Sequence, residues 1–178
     1  MSKGILLFGA SGVGDTTLGF RHFDIDDYTW HWDTEIPYTV LRSREERIER
    51  MMSDVTKHPH FVMSGSMWSI RKAFEPMFEL AVFMTAPTEI RMERLRAREL
   101  FHYGERILAG GDMYEHHIRF LADAEGYDTA EPPQACLEQH TKWAAELPCP
   151  VLRVDGTKDV SGNAVWIAGQ YRYYRVKT

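Results

Sequence analysis

Cysteine is scarce in this chain: Cys136 and Cys149 are the only two in 178 residues. They lie far apart and without metal-ligand spacing, which argues against a disulfide scaffold or a cysteine zinc site and suits a reduced, cytoplasmic setting. No apolar run approaches the roughly 18 residues needed to cross a bilayer, so a membrane-spanning role is not expected. Basic residues are outnumbered, 21 Lys and Arg against 26 Asp and Glu, for a net charge of −5. That balance argues against broad binding of a nucleic-acid polymer and confines any phosphate affinity to a local site. A cleavage-site pattern is missing too, since Met1-Ser2-Lys3-Gly4 leads a short apolar run straight into a glycine-rich loop, which reads as a strand and not as a signal peptide. What the chain does have is 44% hydrophobic and 12% aromatic content, enough for one sizeable core. We expect a single domain over residues 1–178.

Short apolar runs ending in turn residues mark buried parallel strands. Ile5 to Phe8 ends at Gly9, Phe61-Val62-Met63 at Ser64-Gly65-Ser66, Leu80 to Met84 at Thr85-Ala86-Pro87, and Val151 to Val154 at Asp155-Gly156. A further strand is expected from His22 to Asp26. Helical patterns lie between them. Ser43 and Glu46 form a capping box ahead of Ile48, Met51, Met52 and Val55, Pro87 suits a first helical turn, and Met113, His117, Phe120, Leu121 and Ala124 form a one-sided stripe. This alternation predicts an α/β sheet with helices on both faces. Ligands of such sheets sit beyond the carboxyl ends of the strands, where these loops cluster.

The first loop carries the sharpest signal. Gly9-Ala10-Ser11-Gly12-Val13-Gly14-Asp15-Thr16-Thr17 matches the phosphate-binding pattern G-x-x-x-x-G-K-[ST] at every fixed position but one, where Asp15 stands for the lysine. Glycines there let backbone N–H groups converge on phosphate oxygens, and the Thr16 hydroxyl suits magnesium. Asp15 reverses the local charge. At about 4 Å and an effective dielectric of about 20, a unit charge pair is worth about 4 kcal/mol, so the reversal costs several kcal/mol of phosphate affinity. Few residues then remain before the expected strand at His22, against the roughly 10 to 12 a parallel crossover normally needs, so the first helix is expected to be shortened.

Asp24-Ile25-Asp26-Asp27 follows. On a strand, Asp24 and Asp26 share one face, which suits a magnesium-bound water shell or a base that accepts a hydroxyl proton. Trp30, Trp32 and Tyr38 can wall a substrate pocket, or simply pack. Arg91, Arg94 and Arg98 fall on one helical face after Pro87, and Arg106 precedes Gly110-Gly111, a set suited to closing over phosphate as a lid around residues 98–115. Asp155-Gly156-Thr157 either borders an adenine or caps a helix. The histidine pairs His58/His60 and His116/His117 lack convincing metal geometry.

With these motifs in place, the chain resembles the small P-loop kinases related to adenylate, shikimate and gluconate kinases, over Ile5 to about Gly156. The resemblance implies a P-loop NTPase fold with a five-stranded parallel sheet, ATP with magnesium as donor, and a small hydroxyl compound or nucleoside monophosphate as acceptor. It assigns Gly9 to Thr17 and Asp155 to Thr157 to the nucleotide, and Thr16, Asp24 and Asp26 to magnesium. Asp24 and Asp26 also serve the acceptor, and Arg91, Arg94 and Arg106 the lid. The expected function is therefore an ATP-dependent phosphotransferase, with a catalytically silent nucleotide-binding protein as the alternative that Asp15 raises. A metal-dependent hydrolase built on Asp15, Asp24, Asp26 and Asp27 is a third reading.

Overall fold

The structure is a computed structural model that describes residues 2–11 and 20–177. Five parallel strands form one sheet in the order β2-β3-β1-β4-β5: β1 Lys3–Gly9, β2 Arg21–Asp24, β3 His60–Ser64, β4 Phe78–Thr85 and β5 Val151–Asp155. The described helices are α1 Ile25–Thr29, α2 Arg44–Val55, α3 Arg71–Phe74, α4 Thr88–Tyr103, α5 Tyr114–Gly126, α6 Leu137–Glu146 and α7 Val160–Lys177.

Alternation along β1 builds two cores. Leu6 and Phe8 face one side, packing with Met51 and Val55 of α2 and Trp143 of α6, while Ile5 and Leu7 face the other with Ile167 and Tyr171 of α7. Helices therefore cover both faces of the sheet, as the strand–helix alternation predicts. Each large apolar side chain buried in this way stabilises the fold by about 1.5–3 kcal/mol. Gly4 is fixed by packing: a Cβ there would lie 2.2 Å from Cε2 of the fully buried Phe61.

The predicted second strand is corrected at its end. It stops at Asp24, whose carboxylate accepts from the Asp26 N–H at 3.0 Å and caps α1. An aspartate that satisfies an orphan amide favours a helix start over continued extension, so Asp24 and Asp26 are a cap and a first-turn residue, not strand neighbours on one face. Pro87 stands one position before α4, at its N-cap and not in its first turn, and makes no side-chain capping bond; the helix begins at Thr88. The expected shortening of the first helix falls largely on residues 12–19, outside the described residues.

Pairing of Leu7 with Ser64, Gly9 with Met84, Asp24 with Ser64 and Thr85 with Asp155 aligns the carboxyl ends of all five strands on one edge. The chain leaves β1 toward β2 on one side and leaves β3 toward β4 on the other. The crevice between β1 and β3 is therefore the switch point at which open α/β sheets hold ligands.

Candidate active site

A cleft of about 900 Å³ opens at that switch point. Its floor is the end of β1, from Leu7 through Gly9, Ala10 and Ser11, together with Gly65 and Ser66 after β3. Gly65 has φ +113 and donates its N–H to Leu7 O at 3.2 Å, and a Cβ there would lie 3.3 Å from Cβ of Ile25. Its lack of a side chain lets β3 turn away beneath the start of α1. The buried Ser64 hydroxyl bonds His22 Nε2 at 2.7 Å and ties β2 to β3.

Asp24, Asp26 and Asp27 form the acidic side of the cleft. Desolvation in the cleft, then the neighbouring Asp24 charge, pushes Asp26 up to about 6; the Trp30 indole N–H and Arg98 act against the shift. Asp26 keeps solvent-accessible surface, but that surface faces the concavity, where protein on the other sides leaves the carboxylate only partly hydrated. Asp27 is also raised, by burial and by Asp24.

The opposite wall comes from α4 and α5 and carries Arg94, Arg98, Arg119 and His116. Arg98 is steadied by the largely buried Glu99, which accepts from its Nη2 at 2.9 Å and its Nε at 3.2 Å. His117 Nδ1 lies 3.9 Å from the second Glu99 oxygen. Trp30, Trp32 and Tyr38 close the outer side. Tyr38 stands perpendicular to both indoles, with ring centroids 5.8 Å from Trp30 and 5.0 Å from Trp32.

Of the residues expected from sequence, Gly9, Ala10, Ser11, Asp24, Asp26 and Arg94 meet in this cleft. Gly12, Val13, Gly14, Asp15, Thr16 and Thr17 lie outside the described residues. Arg91 does not line the cleft. It is 1% exposed and donates to the carbonyls of Ala86 and Ala124, to Thr88 Oγ1 and to Asp128, so it fastens α4 to the end of α5. Arg106 is also away from the cleft, pairing with Asp112 at 2.7 Å and donating to Glu35 O at 3.1 Å. Asp155 accepts from the N–H and hydroxyl of Thr157, which holds its carboxyl below the usual range, and lines a second, shallower depression with Lys158 and Trp166. Arg94 links the two places by donating to Gly156 O at 2.7 Å. The cleft also contains Arg119, His116 and Asp123, which no motif singled out as phosphate ligands. Their i, i+3, i+7 spacing on α5 is the signal that finds them.

No protein-family model matches the chain. Among curated proteins, "Uncharacterized protein YqaC" of Bacillus subtilis (strain 168) is 37% identical over 163 residues, covering 87% of this chain and 89% of that protein. Among solved structures, one titled "Crystal structure of uncharacterized protein from Eubacterium ventriosum ATCC 27560" aligns with a TM-score of 0.48 at 11% identity, over 97% of this chain and 99% of its own, a likeness too distant to inform the fold.

Proposed function

The chain belongs to the family of Bacillus subtilis YqaC; from its sequence motifs and cleft, we propose that it is an ATP-dependent phosphotransferase with a P-loop fold, acting on a small hydroxyl compound or nucleoside monophosphate. One observation carries the reading. Gly9, Ala10 and Ser11, at the end of the central strand, line the same cleft as the Asp24, Asp26 and Asp27 carboxylates and Arg94, Arg98 and Arg119. Among the described residues no group of three or more metal-binding side chains occurs. Magnesium does not need one, because it keeps most of its waters and takes only one or two carboxylates. Asp24, with one oxygen already capping α1, and Asp26 fit that donor set, and a volume of about 900 Å³ suits a nucleotide-sized ligand. Bound magnesium-ATP would supply the phosphoryl group and part of the charge that neutralises it.

The chain's own groups have distinct parts in this scheme. Asp26 accepts the proton of the acceptor hydroxyl, a role that suits a carboxylate raised toward neutrality. Arg94, Arg98 and Arg119 offer guanidinium N–H groups to phosphoryl oxygens, replacing charge that the missing lysine would have brought. The aromatic side of the cleft keeps water from the acceptor.

Asp15 favours a second reading, a nucleotide-binding protein without turnover. Calorimetric titration of magnesium-ATP into the unmodified chain and into Asp15→Lys, with ADP release followed across a panel of acceptors, tests both. The phosphotransferase reading expects binding and turnover by the unmodified chain and tighter binding by Asp15→Lys. Binding without turnover selects the silent reading, and absence of binding by both proteins refutes both.

A further inference from the structure

Trp30, Trp32 and Tyr38 belong to none of the hydrophobic cores, although large aromatic side chains are normally the first to be absorbed there. Instead they pack on one another at the rim of the cleft, and Trp32 is 44% exposed. Two further features hold them in place. The Trp30 indole N–H points to Asp26 Oδ1 at 3.4 Å, fixing that ring beside the carboxylate. Tyr38 adopts φ +60, the only non-glycine residue with positive φ among those described, and its hydroxyl neighbours Tyr103. A bulky residue in that conformation costs free energy, which the surrounding contacts must offset, and such positions concentrate at ligand clamps.

We infer that this aromatic corner is a stacking subsite for a flat heteroaromatic ring, positioned so that a hydroxyl borne by the ring's owner reaches Asp26. Naming that owner the phosphate acceptor rests on the phosphotransferase reading; the ring subsite itself does not. A cation is the other ligand aromatic rings attract, and Arg98 argues against it. Its positive charge bears on Asp26 and, after Asp26 itself, on Tyr38, so a cationic ligand drawn by the cleft's carboxylates would also meet a cation already there. A neutral π-face meets no such repulsion.

The test is calorimetry without ATP or magnesium, so that it does not depend on turnover. The probes are AMP, GMP, CMP and dTMP, pyridoxine as a heteroaromatic alcohol that is not a nucleotide, and gluconate as a saturated hydroxy acid. At least one ring-bearing probe should bind saturably and more tightly than gluconate. Trp32→Ala should weaken that binding by about tenfold or more, the scale of one stacking contact, while Trp32→Phe largely retains it. Preference for nucleotides over pyridoxine, or the reverse, identifies the source of the ring. Trp32 lies outside the cores, so the alanine variant should keep the parent circular dichroism; if it does not, Trp32→Phe and Trp32→Leu provide the comparison. The inference is overturned if gluconate binds more tightly than every ring-bearing probe, if every Kd lies above about 1 mM, if loss of the indole leaves affinity unchanged, or if ATP displaces the ring competitively, which would give the wall to the donor. Ring binding without phosphoryl transfer would leave the subsite standing and remove only the phosphotransferase reading.

Discussion

Replacing Arg91 by alanine separates a cleft arginine from a structural one. Arg91 is 1% exposed and donates to Ala86 O at 3.0 Å, Ala124 O at 3.1 Å, Thr88 Oγ1 at 2.8 Å and Asp128 Oδ2 at 2.8 Å, with its guanidinium 5.2 Å from the Tyr127 ring centroid. Truncation leaves two carbonyls short of a donor, each costing about 1–3 kcal/mol. Asp128 is 41% exposed and returns to water, and it keeps the Thr88 hydroxyl as a donor, so its side of the loss is smaller. The guanidinium's own desolvation cost disappears, which offsets part of the total. The net loss should be about 3–4 kcal/mol, set mainly by the two unpaired carbonyls. With a urea m-value of about 2 kcal/mol/M, the unfolding midpoint should fall by about 1.5–2 M. Arg91→Lys keeps the charge but not the fork, and should lose about half as much. Urea titration followed by circular dichroism measures both. The reasoning fails if Arg91→Ala stays within about 0.5 kcal/mol of the parent, the usual range for surface substitutions, or if it abolishes nucleotide binding while stability is unchanged.

Asp26 gives a pH signature. Its folded pKa of about 6 lies above the ordinary 3.8, so its contribution to stability is fully present below pH 3.8 and is lost as the pH rises through 6. Asp26→Asn should therefore be more stable than the parent at pH 8, with the gap closing toward pH 3.8 in parallel thermal melts, and on the phosphotransferase reading turnover by the parent should rise through about pH 6. Gly4→Ala drives a methyl into Phe61 and should cost about 1–3 kcal/mol. A double-mutant cycle with Phe61→Leu should recover much of that loss, and strict additivity would show that the clash is not the cause.

The sheet was legible because buried parallel strands are nearly continuous apolar runs, and Ile5–Phe8, Phe61–Met63, Leu80–Met84 and Val151–Val154 all lie inside observed strands. Ser43 signalled α2 as expected and accepts from Glu46 N–H, although the Glu46 carboxylate turns to Arg42 instead of closing the box. The end of β2 was harder to read, because Asp-Ile-Asp alternates like a strand while its first carboxylate is a helix cap. The arginines were hardest. Spacing puts Arg91, Arg94 and Arg98 on one helical face, but sequence does not reveal which side of α4 meets α5 and which meets the cleft. The carbonyls of Ala86 and Ala124 capture Arg91, whereas Arg98 is turned cleftward by Glu99. Met113, His116, His117 and Phe120 stand out in the sequence for other reasons, whereas Arg119 and Asp123 do not, because the helical spacing they share with His116 becomes informative only once the sheet edge is placed.

One bond joins the loop after α1 to the turn that follows α4: Arg106 donates to the Glu35 carbonyl at 3.1 Å. That tether makes the placement of the loop carrying Trp32 and Tyr38 depend on the end of α4, so loss of the Arg106 guanidinium should be felt at the aromatic corner.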